Sequence, residues 1–306
     1  MINIHQQTLN KTVQFEGIGL HSGKISKVKL LPAEENKGII FKRTDLKDKN
    51  FIKACYKNVS STNLCTTIKN QNDIEVKTIE HLIAAFYLSG VDNVIVEIDN
   101  SEVPIMDGSS KEFIHMINNA GLKKQNSQRK FLKINEKINY VLGEKSISIS
   151  PSEKCLEINF ELNYENKVIG KQKNEVILDN DNLEHIYNSR TFCLYDDVEK
   201  IKKQGLAKGG SLQNAIVVDR DKVINTEGLR NEKEFVNHKI LDCMGDLYLS
   251  GYKMIAKIVC SQGGHKLTNQ LLRKVFEDNS NFSIIEVKEK SIPHSFINKS
   301  QLKSIA

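Results

Sequence analysis

The stretch Glu234-Phe-Val-Asn-His-Lys-Ile-Leu-Asp-Cys-Met-Gly-Asp-Leu-Tyr-Leu-Ser-Gly251 decides how the chain is read. On a helical wheel of about 100° per residue, Ile240, Leu241, Met244, Leu247 and Tyr248 gather on one side. His238, Asp242 and Asp246 stand within about 80° of one another on the opposite side, with Lys239 flanking them. An outer helix face is ordinarily filled with Lys, Glu and Gln. A His and two Asp one turn apart form a different kind of stripe, and side chains at i and i+4 lean over the same turn, where they can share a metal ion. A catalytic zinc site takes three protein ligands and an open position, so a third ligand has to come from elsewhere. Taken alone, the helix reads as exposed, with a His–Asp pair that stabilises by ~0.3–0.5 kcal/mol.

The remainder of the 306 residues allows about two domains with cores of their own. No run approaches the ~18–20 apolar residues of a membrane span, and the N-terminus has no basic segment followed by an apolar one, so neither a span nor a secretory signal is expected. The cysteines at 55, 65, 155, 193, 243 and 260 include no Cys-x-x-Cys, the pattern of reduced cytosolic thiols. Cys243 falls between the two faces of the opening helix, where packing is expected. A net charge of +6 with dispersed lysines gives little support to nucleic-acid binding and suits a phosphorylated small substrate equally well.

Working outward, strands are expected over 13–18 and 27–31, around Gly17-Ile-Gly-Leu-His-Ser-Gly23. That loop lacks the P-loop Lys-Ser/Thr pattern, and His21 reads as a loop residue hydrogen-bonded locally. Residues 78–90 form a helix whose apolar face is Ile79, Leu82, Ile83 and Phe86, with Gly90 as its stop and His81 pointing away from that face. Ser109-x-x-Glu112 reads as a capping box before a helix over 113–119. The polar, aperiodic residues that follow suggest a first domain over 1–124 and a linker over 125–130. The pattern then begins again over 131–306: alternating strands at 146–150 and 156–162, a strand–helix–loop excursion over 190–211, the opening helix, a strand at 255–259, a tight loop at 262–266 and a last helix. This predicts an α+β protein of two similar domains, each a mainly antiparallel sheet with helices on one face, with the helix layers packed together. In that packing His81 faces the His238/Asp242 stripe and completes a His₂Asp metal site. Glu80 then lies beside a ligand as the Glu of His-Glu zincins does, although Ala84 stands where their second His would be.

The motifs Thr78-Ile-Glu-His-Leu, Pro104-Ile-Met-Asp-Gly-Ser, Ser189-Arg-Thr-Phe, Gly209-Gly-Ser, His238-Lys-x-Leu-Asp-x-x-Gly-Asp-Leu and Gly264-His-Lys-x-x-Asn resemble those of the UDP-3-O-acyl-N-acetylglucosamine deacetylases, zinc amidases of lipid A synthesis in Gram-negative bacteria. The resemblance runs from Gly17 to the last helix. It implies a pair of α+β sandwiches with the metal between them. It implies His81, His238 and Asp242 as ligands of one Zn²⁺, with Fe²⁺ an alternative in the cell, and Glu80 as general base. It further implies that His265 protonates the leaving amine or stabilises the oxyanion, that Thr191 hydrogen-bonds the oxyanion, and that Asp246 pairs with His265 or another catalytic neighbour and holds its charge state. Lys239 would meet the diphosphate and Tyr164 the uracil. The 190–211 arm would enclose the acyl chain with Phe192, Leu194, Val198, Ala207, Ser211 and Leu212. Tyr195, Val198, Ala207 and Leu212 differ in size from what the resemblance suggests, so the arm does not indicate a chain length. A cytoplasmic monomer is expected, acting on an acylated UDP-amino sugar, with at most transient contact with the inner membrane and no nucleic-acid partner. Two other readings share the scaffold: a zinc deacetylase of another amidated sugar, and a non-enzymatic metal or interaction protein for which Glu80 is dispensable.

Overall fold

A computed structural model of the chain describes residues 4–153, 155–178 and 181–286. The outer ends of the two expected domains, 1–3 and 287–306, lie outside the described residues. The fold is α+β and contains two open, mainly antiparallel sheets.

The N-terminal sheet has the strand order Val13–Ile18, Ile25–Pro32, Val94–Ile98, Ile39–Arg43, Phe51–Lys53, and all its pairings are antiparallel except Ile39–Arg43 with Val94–Ile98. Alternation decides its inner face: in Ile25–Pro32 the buried residues are Ser26, Val28 and Leu30, two apart. The C-terminal sheet is built around the long strand Lys253–Ser261, which pairs parallel with Lys130–Ile134 and Leu156–Asn163 and antiparallel with Lys145–Ser150. Leu156, Ile158, Phe160 and Leu162 are buried on one face of their strand, the alternation legible in the sequence.

The helices are α1 (Glu80–Ser89), α2 (Lys111–Ala120), α3 (Glu184–Tyr187), α4 (Tyr195–Lys203), α5 (Glu234–Tyr248) and α6 (His265–Val275). The first two belong to the N-terminal sheet, and α5 and α6 pack on the C-terminal one. The two helix layers meet where α1 crosses α5. Buried apolar side chains of both halves, among them Leu82, Phe86, Leu241 and Met244, therefore form one continuous core. Gly245 permits the close crossing, because a Cβ there would strike the Glu80 carbonyl.

Several expectations need correcting. Helix α5, which reads as exposed only when taken alone, is buried at every residue except Lys239, because one face meets its own sheet and the other meets α1, as packed helix layers require. Helix α1 is buried from Glu80 to Tyr87 for the same reason. It starts at Glu80 rather than Thr78, since Thr78 sits at φ 57°, a left-handed conformation unusual for a β-branched residue, and its hydroxyl donates to Glu102 at 2.8 Å. No capping box forms at α2. Ser110 is the cap residue, while the Ser109 hydroxyl donates to Asp107 and accepts the Lys111 N–H. The stretch read as a linker is paired strand: Leu122–Gln128 runs antiparallel to His5–Leu9, a strand the sequence reading missed, and Lys130 opens the next strand. Its polar side chains belong to a two-stranded ribbon, where little is buried and alternation is weak. Arg129, 3% exposed, fixes this crossing by a bidentate pair with Asp92 and a bond to the Gly90 carbonyl.

Candidate metal centre and active site

Helix α1 contributes Glu80 and His81 from the first domain; α5 contributes His238, Asp242 and Asp246 from the second; His265 is the first residue of α6. All six are buried. One donor atom each of His81, His238 and Asp242 lies within 4.8 Å of the other two, and this is the grouping among the described residues that could hold a metal ion. The Nε2 atoms of His81 and His238 both stand 3.4 Å from Asp242 Oδ1, and the two rings are edge to face.

The donor set fits a metal. Asp242 Oδ1 is buried and has no hydrogen-bond partner among the described residues, an arrangement that is costly unless a cation satisfies it. His238 Nδ1 donates to the Ser189 carbonyl at 3.2 Å, which leaves Nε2 as the lone-pair nitrogen facing Asp242. Burial pushes His238 down to about 3, so the ring is neutral, as a ligand must be. Asp242 gives its other oxygen to Lys239 at 2.8 Å. Burial opposes charge on Lys239, but the Asp242 carboxylate outweighs it and holds the ammonium up to about 12.

The acid–base groups sit beside these donors. His265 Nδ1 donates to Asp246 Oδ2 at 2.8 Å, and Asp246 Oδ1 accepts the Thr66 hydroxyl at 2.6 Å. Burial works against charge on His265, yet Asp246 overcomes it and lifts the imidazole to about 9. Glu80 is raised above the ordinary carboxylate range by burial, with His265 and His81 opposing, and accepts the Thr66 N–H at 3.0 Å. The cluster therefore sets a carboxylate of raised pKa near a cationic imidazole, both beside the His₂Asp donor set: the complement needed to take a proton from one atom and give one to another.

The segment carrying Thr191 is held from both domains. Arg190, 1% exposed, pairs with the buried Glu234 at the start of α5 at 2.9 Å and also reaches Glu227 and the Gly228 carbonyl. The Thr191 N–H donates to the Gly108 carbonyl at 2.8 Å, and Arg230 pairs with Asp107 at 2.9 Å. The Ser110 hydroxyl donates to the His81 carbonyl at 2.7 Å, so the turn at 107–110 touches both the metal-donor helix and the Thr191 segment.

The family profile described as LpxC, UDP-3-O-acyl N-acetylglycosamine deacetylase, matches residues 6–277. The chain belongs to this family. Among relatives named UDP-3-O-acyl-N-acetylglucosamine deacetylase, that of Shewanella denitrificans is 38% identical over 298 residues, covering 96% of this chain and 97% of its own. That of Pasteurella multocida is 38% identical over 297 residues, with the same coverage of each chain. That of Pseudoalteromonas translucida is 39% identical over 280 residues, covering 90% of this chain and 92% of its own. Within this deacetylase scaffold the remaining expected residues fall in two groups. Phe192 packs edge-on against Phe235 and Tyr164 and lies 6.2 Å from the His238 ring, with the Lys239 ammonium 5.8 Å from its centroid, so Tyr164, Phe192 and Lys239 adjoin the metal donors. Leu194, Val198 and Ala207 are half-buried along the arm, whereas Ser211 and Leu212 are exposed. The arm is a parallel crossover: Phe192–Leu194, then α4, then Ile216–Asp219 paired beside the first strand. His21 is not held locally. Its N–H donates to the buried Glu102, and its Nδ1 lies 3.4 Å from the Ala207 N–H of the arm.

Sequence reasoning missed Thr66, Glu102, Glu234 and the Ser189 carbonyl. Ser189 and Arg190 lie inside the motif Ser189-Arg-Thr-Phe, which is the available signal; Thr66 sits in a short polar stretch with none.

Proposed function

We propose that the chain hydrolyses the N-acetyl group of a UDP-3-O-(3-hydroxyacyl)-N-acetylglucosamine, releasing acetate and the free amine, as a cytoplasmic monomer in lipid A biosynthesis. The observation that carries this reading is the His81/His238/Asp242 donor set with Glu80 and the Asp246–His265 pair beside it, in a chain matched to the deacetylase family over nearly its whole length. The metal is assigned as zinc, and the same donors suit ferrous iron. When bound, the ion supplies Lewis-acid polarisation of the amide carbonyl and acidifies water.

The residues perform the rest. Glu80, raised by burial, takes a proton from the attacking water. Thr191, anchored through its backbone to Gly108, offers its hydroxyl to the carbonyl oxygen as negative charge grows, a contact of a class worth ~3–4 kcal/mol. His265, kept cationic by Asp246, gives its proton to the leaving amine. Lys239 meets the diphosphate, Tyr164 the uracil, and the 190–211 arm the acyl chain through Phe192, Leu194, Val198, Ala207, Ser211 and Leu212.

The test is single-turnover deacetylation by protein stripped of metal and titrated with zinc, alongside Glu80→Gln. Activity should rise to one equivalent of metal. Glu80→Gln should bind metal as the parent does and lose ~10²–10⁴-fold in turnover. Near-parental hydrolysis by that variant would remove Glu80 from the base role, and a tightly bound ion without activity would redirect the substrate assignment to another amidated sugar.

A further inference from the structure

One buried carboxylate ties the turn at 19–23 to the root of α1. Glu102 is 0% exposed. Its Oε1 accepts the His21 N–H at 2.8 Å and the Thr78 hydroxyl at 2.8 Å, and its Oε2 accepts the Ser22 N–H at 2.7 Å. Two successive backbone N–H groups turned on one carboxylate make an anion-binding nest, and bonds to a charged acceptor are the stronger kind. Gly19 leaves room for this carboxylate, because a Cβ there would strike Glu102 Oε2. The Gly23 N–H closes the turn on the Gly19 carbonyl at 2.9 Å.

The same turn carries the tail of the 190–211 arm. The Gly209 N–H donates to the Leu20 carbonyl at 3.0 Å, the Lys208 N–H to the His21 carbonyl at 3.4 Å, and the Ala207 N–H to His21 Nδ1 at 3.4 Å. Gly209 lies so close that a Cβ on it would strike the Gly19 carbonyl. His21 thus gives its N–H to Glu102 and its carbonyl to the arm. Glu102 reaches the arm through a single residue of backbone.

We propose that Glu102 is a positioning residue for substrate selection: it fixes the turn at 19–23 so that the tail of the arm is already in place when the acyl chain binds. This rests on the proposed deacetylation, with the arm as the acyl enclosure. Ala207, assigned to that enclosure, is itself bonded to the turn. A tail fixed in advance loses less freedom on binding than a loose one, so loss of the anchor weakens acyl binding rather than the chemical step. Glu102→Gln separates the two sides of the carboxylate. Its amide oxygen still serves the His21 N–H and the Thr78 hydroxyl, while its NH₂ is set against the Ser22 N–H, so the turn is disturbed and the root of α1 stays held.

The test combines amide hydrogen exchange with kinetics on the full-length protein. Without substrate, residues 206–210 should exchange roughly tenfold faster in Glu102→Gln than in the parent, with α5 unchanged. At saturating zinc, UDP-N-acetylglucosamine bearing a long 3-O-(3-hydroxyacyl) chain is compared with the same sugar bearing 3-O-acetyl. In Glu102→Gln the KM for the long-chain substrate should rise roughly tenfold with kcat kept, and the KM for the acetyl substrate should not move. Gly209→Ala, which pushes the tail off the turn and leaves Glu102 alone, should raise the long-chain KM likewise. The double variant should be no worse than the single ones, because both cut one chain of contacts. Parental exchange at 206–210, an equal KM rise for both substrates, a loss confined to kcat, or additive effects in the double variant would overturn the proposal. So would weakened zinc binding with the acyl preference intact, which would assign Glu102 to Thr78 and α1 alone. Should Glu102→Gln fail to fold, a parental long-chain KM in Gly209→Ala overturns the proposal by itself. A parent that turns over neither substrate fails the deacetylase reading instead, and exchange at 206–210 then decides whether Glu102 holds the arm.

Discussion

Thr66 touches both carboxylates that flank the metal donors, giving its N–H to Glu80 and its hydroxyl to Asp246. The second bond matters for His265, because Asp246 is buried and its two oxygens are divided between the Thr66 hydroxyl and the imidazole. Thr66→Val keeps the shape and the N–H but leaves one carboxylate oxygen unsatisfied, a loss of ~1–3 kcal/mol at a buried site. The expected outcome is a fall in kcat of roughly tenfold or more with KM little changed. Steady-state kinetics at saturating zinc would show it, and an unchanged kcat would mean that His265 alone suffices to hold Asp246. His265→Ala should likewise lower kcat more than substrate affinity; a change confined to KM would argue against an acid or oxyanion role. That His81, His238 and Asp242 come together could be expected from the sequence, because a His and two Asp on one helical stripe are an unusual outer face and packed helix layers set His81 against them. Thr66 could not, because no spacing links position 66 to position 246, and a threonine before a three-residue strand has no distinguishing neighbours.

At the scale of elements, the site is the product of one helix crossing. Glu80 and His81 open α1, the donors His238 and Asp242 lie on α5, and Gly245 brings the two backbones together. Gly245→Ala places a methyl group against the Glu80 carbonyl, and the helices must separate. Overpacking of this kind costs ~1–3 kcal/mol, or about 2–4 °C in Tm for each kcal/mol in a chain of this size class. Calorimetry of the metal-free variant should show the loss, and chelator competition should show weaker zinc binding, because His81 moves relative to His238. A variant that loses stability but keeps parental zinc affinity would show that the donors adjust independently of the crossing. The same crossing explains where periodicity misled. The apolar stripes of α1 and α5 were legible from periodicity, but their polar stripes read as solvent faces as long as each helix is taken alone, and only packing of the two helix layers turns them inward on each other. Strands such as Leu156–Asn163 were readable because alternation survives wherever one face is buried, whereas Leu122–Gln128 buries too little to alternate. The turn at 107–110 passed for a capping box because its serines and the following Glu have the right spacing, while Arg230 and Tyr187, which decide its conformation, come from the other half of the chain.

Across the whole molecule, the candidate metal donors are divided between the two halves, and so are the bonds that surround them. The Tyr56 N–H meets the Leu249 carbonyl; Asn269 and Arg273 of α6 reach the Tyr56 carbonyl; the Tyr248 hydroxyl donates to the Val91 carbonyl at 2.8 Å. An ion bound by His81 from one half and by His238 and Asp242 from the other therefore adds its binding free energy to the association of the halves as well as to chemistry. Binding to the native state alone stabilises it by ~4 kcal/mol when free metal exceeds the dissociation constant a thousandfold. At about 2–4 °C per kcal/mol, stripping the metal should lower Tm by roughly 10 °C, and readdition of one equivalent should restore it. His81→Ala should abolish most of that metal-dependent shift, although His238 and Asp242 remain one turn apart on α5. If the shift instead persists in His81→Ala, the ion is held by the second half alone, and the first half contributes Glu80 to the reaction without contributing a ligand.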